Sequence, residues 1–297
     1  MTSRLKLFLF LLAFLAPTSM ASAAGDKAAI ERTQATATQF TNHAPGKYFQ
    51  FHSNIPAQRL VMYARFSDLF VESVDRDFFR VKTQFPIQAF VLEDKAKFQA
   101  FLRATFNVVM PSEYGMYLPR ARTFVTYDGS GLGTFAHEIA HPLVEESLPS
   151  RPQWAMEGIP AFFEKFYGYA QDGKLQVQWG YQNPWRIEKL GSDLTRVKLV
   201  RVLYGSEDTS EKRLVTLFLH QKGKLKDFLS LVQANDRRGF RNHVEAVFDK
   251  PLNELEEDWQ SYLADIEANR VRILRLPTSQ LFDTPEQFRK FADEHGL

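Results

Sequence analysis

The chain has 297 residues, 44% hydrophobic and 24% charged, with no cysteine. Its 37 basic and 35 acidic side chains leave a formal charge of +2, and no dense Lys/Arg run exceeds pairs such as Arg237-Arg238, so no nucleic-acid partner is expected. Without cysteine, disulfide stapling and lipid attachment at a thiol are excluded, and the fold must rest on its own core, to which 27 phenylalanines contribute.

The first residues have the pattern of a secretory leader. Arg4 and Lys6 form a basic start, residues 7–16 are apolar, Pro17 breaks the run, and Ala21-Ser22-Ala23 offers small residues to a signal peptidase. At 1.5 Å per residue the apolar run is too short for a bilayer core of ~30 Å. Cleavage is expected after Ala23, with Ala21 as the alternative, leaving a periplasmic or secreted chain with no membrane partner.

From residue 48 strand and helix patterns alternate. Residues 48–52 predict a short strand, and Ile55-Pro56 opens a helix over about 57–79. Residues 86–92 predict a second strand, and Asp94 caps a helix carrying Phe98, Phe101, Leu102 and Phe106. Two more strands are expected at 114–118 and 123–127. The glycine-rich loop 128–133 lacks a P-loop ending and a dinucleotide spacing. Its glycines are expected to let the last strand approach the next helix closely, with Thr134 as that helix's N-cap. A second helix is expected from about Ser150, where Ser150 and Gln153 match a capping box. A hairpin-like stretch follows at 172–180, then helical patterns near 192–204, 209–221, 224–233, 238–247 and 252–266. Residues 267–280 are expected to be irregular, and Thr284-Pro285 starts a final helix ended by Gly296. The expected fold is α+β: a leader at 1–23, a lobe at 24–168 with a small mixed sheet, a mainly helical lobe at 169–266, and a tail at 267–297.

The chemistry concentrates in His137-Glu138-Ile-Ala-His141. Residues four apart share a helix face, so both imidazoles can address one metal, and Glu138 stands beside it as a base rather than a ligand. A catalytic zinc takes three protein ligands and keeps one open position. Glu145 lies eight residues past His137, about 12 Å along a helix, and Glu146 fails for the same reason. Position 147 is serine and position 144 valine, which excludes a third histidine in the metzincin arrangement. Glu157 follows a proline-rich loop, 148–152, able to return an antiparallel helix, and is the expected third ligand. Glu164, about 10 Å further along, suits a supporting role.

Gly133-Thr-Phe-Ala-His137-Glu138-Ile-Ala-His141 with Pro152-Gln-Trp154-Ala-Met-Glu157-Gly158 resembles the peptidase MA-like gluzincin metallopeptidases, including exported bacterial members. Softer likeness extends over about 48–264, through Gly115-Met-Tyr-Leu-Pro119 upstream and residues 252–263 downstream. The resemblance implies that His137, His141 and Glu157 bind zinc and that Glu138 is the general base of peptide hydrolysis. It also implies a substrate paired along a strand edge, expected here at 123–127. Members often carry a tyrosine that steadies the oxyanion where Thr209 stands here; Tyr204, Tyr167, Tyr181 and His220 are the candidates to replace it. Pro142 and Pro160, each past its ligand, are expected to cost a helix hydrogen bond, with a kink after His141. The expected activity is zinc-dependent cleavage of a peptide or protein substrate. The alternative is a non-catalytic exported binding or scaffold domain fastened by zinc.

Overall fold

The computed structural model describes residues 26–110, 112–235 and 240–297; the leader expected at 1–23 and the Arg237-Arg238 pair lie outside them. Chain order opens with α1 (Lys27–Ala37) and β1 (Asn42–Pro45), neither of which the sequence pattern announces. Then come β2 (Phe49–Ser53), α2 (Ala57–Asp77), β3 (Ile87–Leu92), α3 (Lys95–Phe106), β4 (Gly115–Leu118) and β5 (Thr123–Tyr127). These five strands form one mixed sheet in the order β1-β2-β3-β5-β4. β2, β3 and β5 run parallel, while β1 and β4 pair antiparallel at the two edges. The strand expected to offer a free edge, 123–127, is therefore interior. β4 folds back on it through a single turn of 3-10 helix at Pro119–Ala121 and takes the edge instead.

Alternation of side chains gives this sheet two apolar faces. On one, Phe98 and Leu102 of α3 cover Phe90 and Val125. On the other, Phe51 and Phe124 receive Phe135 at ring distances of 5.9 and 5.5 Å. Phe135 belongs to α4 (Leu132–Ser147), and burying such a ring is worth about 1.5–3 kcal/mol. Phe135, Ile139 and Leu143 recur four apart and are fully buried against the core, so the opposite stripe, His137 and His141, is turned off the sheet.

The loop ahead of α4 corrects two expectations. The N-cap is Gly131, at φ 94°, not Thr134. Gly129 and Gly131 have open space around them, so they serve the turn itself, at a φ that glycine tolerates. The close approach occurs one step later: a Cβ on Gly133 would lie 2.2 Å from the carbonyl oxygen of Glu164. Asp128 anchors the loop by accepting from Arg59 Nε (2.5 Å) and the Tyr63 hydroxyl (2.8 Å).

Helix α5 (Ala155–Phe162) begins later than expected and has no side-chain cap. Ser150 donates instead to the Val232 carbonyl at 2.7 Å, so the capping box does not form. α4 runs unbroken through Pro142, and α5 likewise contains Pro160. A hairpin, β6 (Phe166–Gln171) and β7 (Lys174–Trp179), follows. The expected lobe boundary at 168/169 falls inside β6. The helical part comprises α6 (Pro184–Lys189), α7 (Leu199–Gly205), α8 (Thr209–Gln221), α9 (Leu225–Gln233), α10 (Phe240–Phe248), α11 (Leu252–Ala268) and α12 (Arg270–Leu274). α8, buried from Ser210 to Leu219, packs directly on α5. The region expected to be irregular holds α12 and ends in β8 (Gln280–Phe282), which joins β6 in parallel, and α13 (Pro285–His295) closes over it through Phe288 and Phe291. Thus the tail completes a second, three-stranded mixed sheet, β7-β6-β8. The architecture is α+β with two small mixed sheets.

Candidate metal centre

His137 and His141 stand one turn apart on α4 with their Nε2 atoms 3.0 Å from each other. α5 brings Glu157 across from the other side. Its Oε2 lies 3.6 Å from His137 Nε2 and its Oε1 4.0 Å from His141 Nε2. One ligand atom from each residue lies within 4.8 Å of the others, and this trio can hold a metal ion. The reach of Glu157 depends on Gly158. A Cβ there would sit 2.7 Å from the Lys212 carbonyl oxygen, so glycine lets α5 press onto the backbone of α8. Arg213 of α8 then donates to the Ala161 carbonyl at 2.6 Å, satisfying an acceptor at the end of α5. Glu145 and Glu146 stay out of the trio; Glu146 pairs with Arg122 at 2.9 Å.

Glu138 is buried at 6% exposure and lies outside the trio. It faces β4, where a Cβ on Gly115 would come within 2.6 Å of its Cγ. Two residues along the strand, Tyr117 stacks on His141 with centroids 6.1 Å apart and planes 8° from parallel. The edge strand thus walls the site on the α4 side.

The other wall was only half legible. Glu164 Oε1 is 2.9 Å from His137 Nδ1, without the alignment of a formed hydrogen bond. Glu164 is itself clamped: Arg186 donates from Nε (3.0 Å) and Nη2 (2.5 Å), and Asn183 Nδ2 donates at 3.1 Å, all buried. Glu164 was expected to support the site, but Arg186 and Asn183 were not; no local pattern points to them. A carboxylate behind a ligating histidine fixes the ring's tautomer and leaves the far nitrogen's lone pair free for a cation.

The electrostatics follow from this packing. Burial pushes the Glu138 carboxyl up to about 7, with His137 opposing. For Glu157, burial acts upward, but His137 and His141 outweigh it and hold the carboxyl down at about 2. Glu164 is held well below the ordinary range against its burial, chiefly by Arg186 and His137. The imidazoles split. Burial and the neighbouring His137 drive His141 down, whereas Glu157 and Glu164 outweigh burial and raise His137. A proton on His137 thus carries the positive charge that the carboxylates demand. Two imidazole nitrogens and a carboxylate oxygen, His137 buried and His141 and Glu157 half-buried, form a group that could hold a metal ion.

Two of the four candidates for oxyanion donor, Tyr167 and Tyr181, are engaged elsewhere. Tyr167 donates to the Pro277 carbonyl at 2.6 Å, and Tyr181 donates to Gln178. Tyr204 is 65% exposed. His220 packs on the Phe162 ring at 4.9 Å. Thr209 is the first residue of α8. No protein-family model matches the chain, and no curated protein matches it.

Proposed function

We propose that this chain is an exported zinc-dependent peptidase of the gluzincin kind, with His137, His141 and Glu157 as ligands and Glu138 as general base. One observation carries the reading: a buried carboxyl beside the metal trio, not in it, tuned close to neutrality. A cation that only fastened α4 to α5 would have no use for such a group. When bound, zinc supplies Lewis acidity, easing deprotonation of an attacking water and polarising a carbonyl. Glu138 accepts the water proton and returns it to the leaving amine, work valued at about a hundred- to ten-thousand-fold in rate. Glu164, clamped by Arg186, holds the His137 ring in place. The substrate would lie extended along β4, the edge strand whose Gly115 faces Glu138, rather than along 123–127.

The scaffold alternative draws on the hydrogen bonds that engage Tyr167 and Tyr181 elsewhere. The experiment that separates the two is made on the purified chain. Wild type should hold about one zinc per chain and cleave members of a peptide library. Glu138→Gln should keep the zinc and the melting temperature and lose cleavage. A wild type that cleaves nothing, and unfolds when zinc is chelated, makes the zinc structural.

A further inference from the structure

A second pair of imidazoles converges on the five-stranded sheet. β1 and β2 pair antiparallel with His43 directly opposite His52, so both side chains stand on one face. Their Nδ1 atoms lie 2.8 Å apart, the ring centroids 5.1 Å apart, and the planes cross at 73°. His137 and His141 show nearly the same figures: Nε2 atoms 3.0 Å apart, centroids 4.8 Å apart, planes at 74°. One turn of helix and one cross-strand pair thus deliver the same convergence of two ring nitrogens.

The likeness extends to what stands behind the rings. Gln88 of β3 places Oε1 2.6 Å from His52 Nε2, as Glu164 places Oε1 2.9 Å from His137 Nδ1. The amide oxygen accepts the Nε2 proton, which leaves the His52 Nδ1 lone pair directed at His43. Phe90 packs on the same imidazole with centroids 5.3 Å apart and restrains it further. Without a cation, His43 Nδ1–H donates into that lone pair. Moving this proton to Nε2 of the exposed His43 turns both Nδ1 lone pairs toward one point. The two sites differ in the third ligand. Among the described residues only the α4–α5 trio adds a carboxylate to its histidines, so at His43 and His52 water must complete the coordination. Two imidazoles with water suit a tetragonal Cu2+ site better than a closed tetrahedral zinc site.

We propose that His43 and His52, backed by Gln88, form a second metal site for a divalent ion that favours imidazole and accepts water, Cu2+ ahead of Zn2+. The order follows the general rise of affinity for nitrogen ligands toward copper. An ion held there ties β1, a four-residue strand at the sheet edge, to β2. The inference stands apart from the peptidase reading and shares no residue with it.

The test titrates Cu2+ into the zinc-saturated, desalted full-length chain and into His43→Asn, His52→Asn and His295→Asn. Differences between variants are read, so whatever the α4–α5 trio holds or exchanges cancels. The asparagine amide stands about where Nδ1 stood and can keep a hydrogen bond, but it is a poor copper ligand. Wild type should bind about one Cu2+ per chain more than His43→Asn or His52→Asn. Its EPR spectrum should carry imidazole-nitrogen couplings that both variants lack, and His295→Asn should match wild type. Gln88→Leu should keep the stoichiometry and lose about ten- to a hundred-fold in copper affinity. Cu2+ should raise the melting temperature of wild type more than that of His43→Asn, because the folded strand pair alone forms the site. Equal copper uptake and equal nitrogen couplings in wild type and His43→Asn overturn the inference and leave the pair a hydrogen bond. So does an equal loss in His295→Asn, which marks binding to scattered imidazoles. Should His52→Asn fail to fold, the exposed His43→Asn decides alone. None of these outcomes bears on the peptidase reading, which Glu138→Gln decides by cleavage.

Discussion

Two glutamates flank the same histidine and could hardly be treated more differently. Glu138, on the α4 side, is buried against the backbone of β4 with no cation clamped to it, and its carboxyl rises to about 7. Glu164, on the β6 side, is equally buried but gripped by Arg186 and Asn183, and it stays ionised far below the usual range. Identical side chains thus receive opposite electrostatics from their surroundings, and on the proposed function one would exchange a proton while the other holds a fixed charge. The difference teaches that burial alone assigns no role here; the presence or absence of a guanidinium does.

Breaking either wall should have distinct signatures. The largest effect is expected on the Glu138 side. Glu138→Gln removes the exchanging group and should cut kcat by about a thousand-fold or more, with zinc content by mass spectrometry unchanged. Removing the clamp comes next. Arg186→Met leaves Glu164 charged and uncompensated, and should cost about 3–5 kcal/mol in denaturant unfolding. Glu164→Gln should spare more stability but weaken zinc affinity by about ten- to a hundred-fold, read by competition with a chelator. If Glu164→Gln leaves zinc affinity intact, the two carboxyls are not divided as described.

A gentler perturbation sharpens the comparison without removing either group. Gly115→Ala drives a methyl to within 2.6 Å of the Glu138 Cγ, so the side chain must shift. Its kcat should fall about tenfold while zinc affinity and melting temperature change little, because a misplaced general base loses rate before it loses anything else. Equal losses in rate and zinc affinity would mean that β4 supports the histidines rather than the base.

The smallest expected effect lies behind the clamp, at Lys165, whose ammonium is pushed down to about 8 by burial with Arg213 adding to it. The folded chain releases that proton near pH 8, whereas the unfolded chain keeps it to about 10.5. Between these values the unfolded state binds more protons, so this residue's contribution makes stability rise with pH. In urea unfolding from pH 8 to 10, wild type should gain on Lys165→Met. Parallel curves would show that the lysine is not desolvated as the packing implies.

Much of the fold was legible because its signals are local. The strands at 86–92 and 123–127 and the helices starting at Asp94 and ending at Gly296 announce themselves by alternation, caps and terminal glycine, and the structure has β3, β5, α3 and α13 there. Errors fell where distant packing overrode local chemistry. Ser150 was free to cap a helix only until the Val232 carbonyl came within 2.7 Å of its hydroxyl. The tail at 280–282 has too few residues to declare a strand, and becomes one because β6 offers an unpaired edge. β5 lost its expected edge because β4 folds back over it, a fact of sheet order that no strand carries in its own sequence.

For the site itself, the sequence alone determined what one helical repeat can encode: two imidazoles on one face, a carboxyl beside them, and, by elimination on helix length, Glu157 as the candidate third ligand. Only the tertiary structure decided which carboxyl is clamped and which is not, since Arg186 reaches Glu164 from 22 residues away by packing, not by periodicity. A charge's worth depends on its desolvation and its neighbours, and those are set by the fold as a whole.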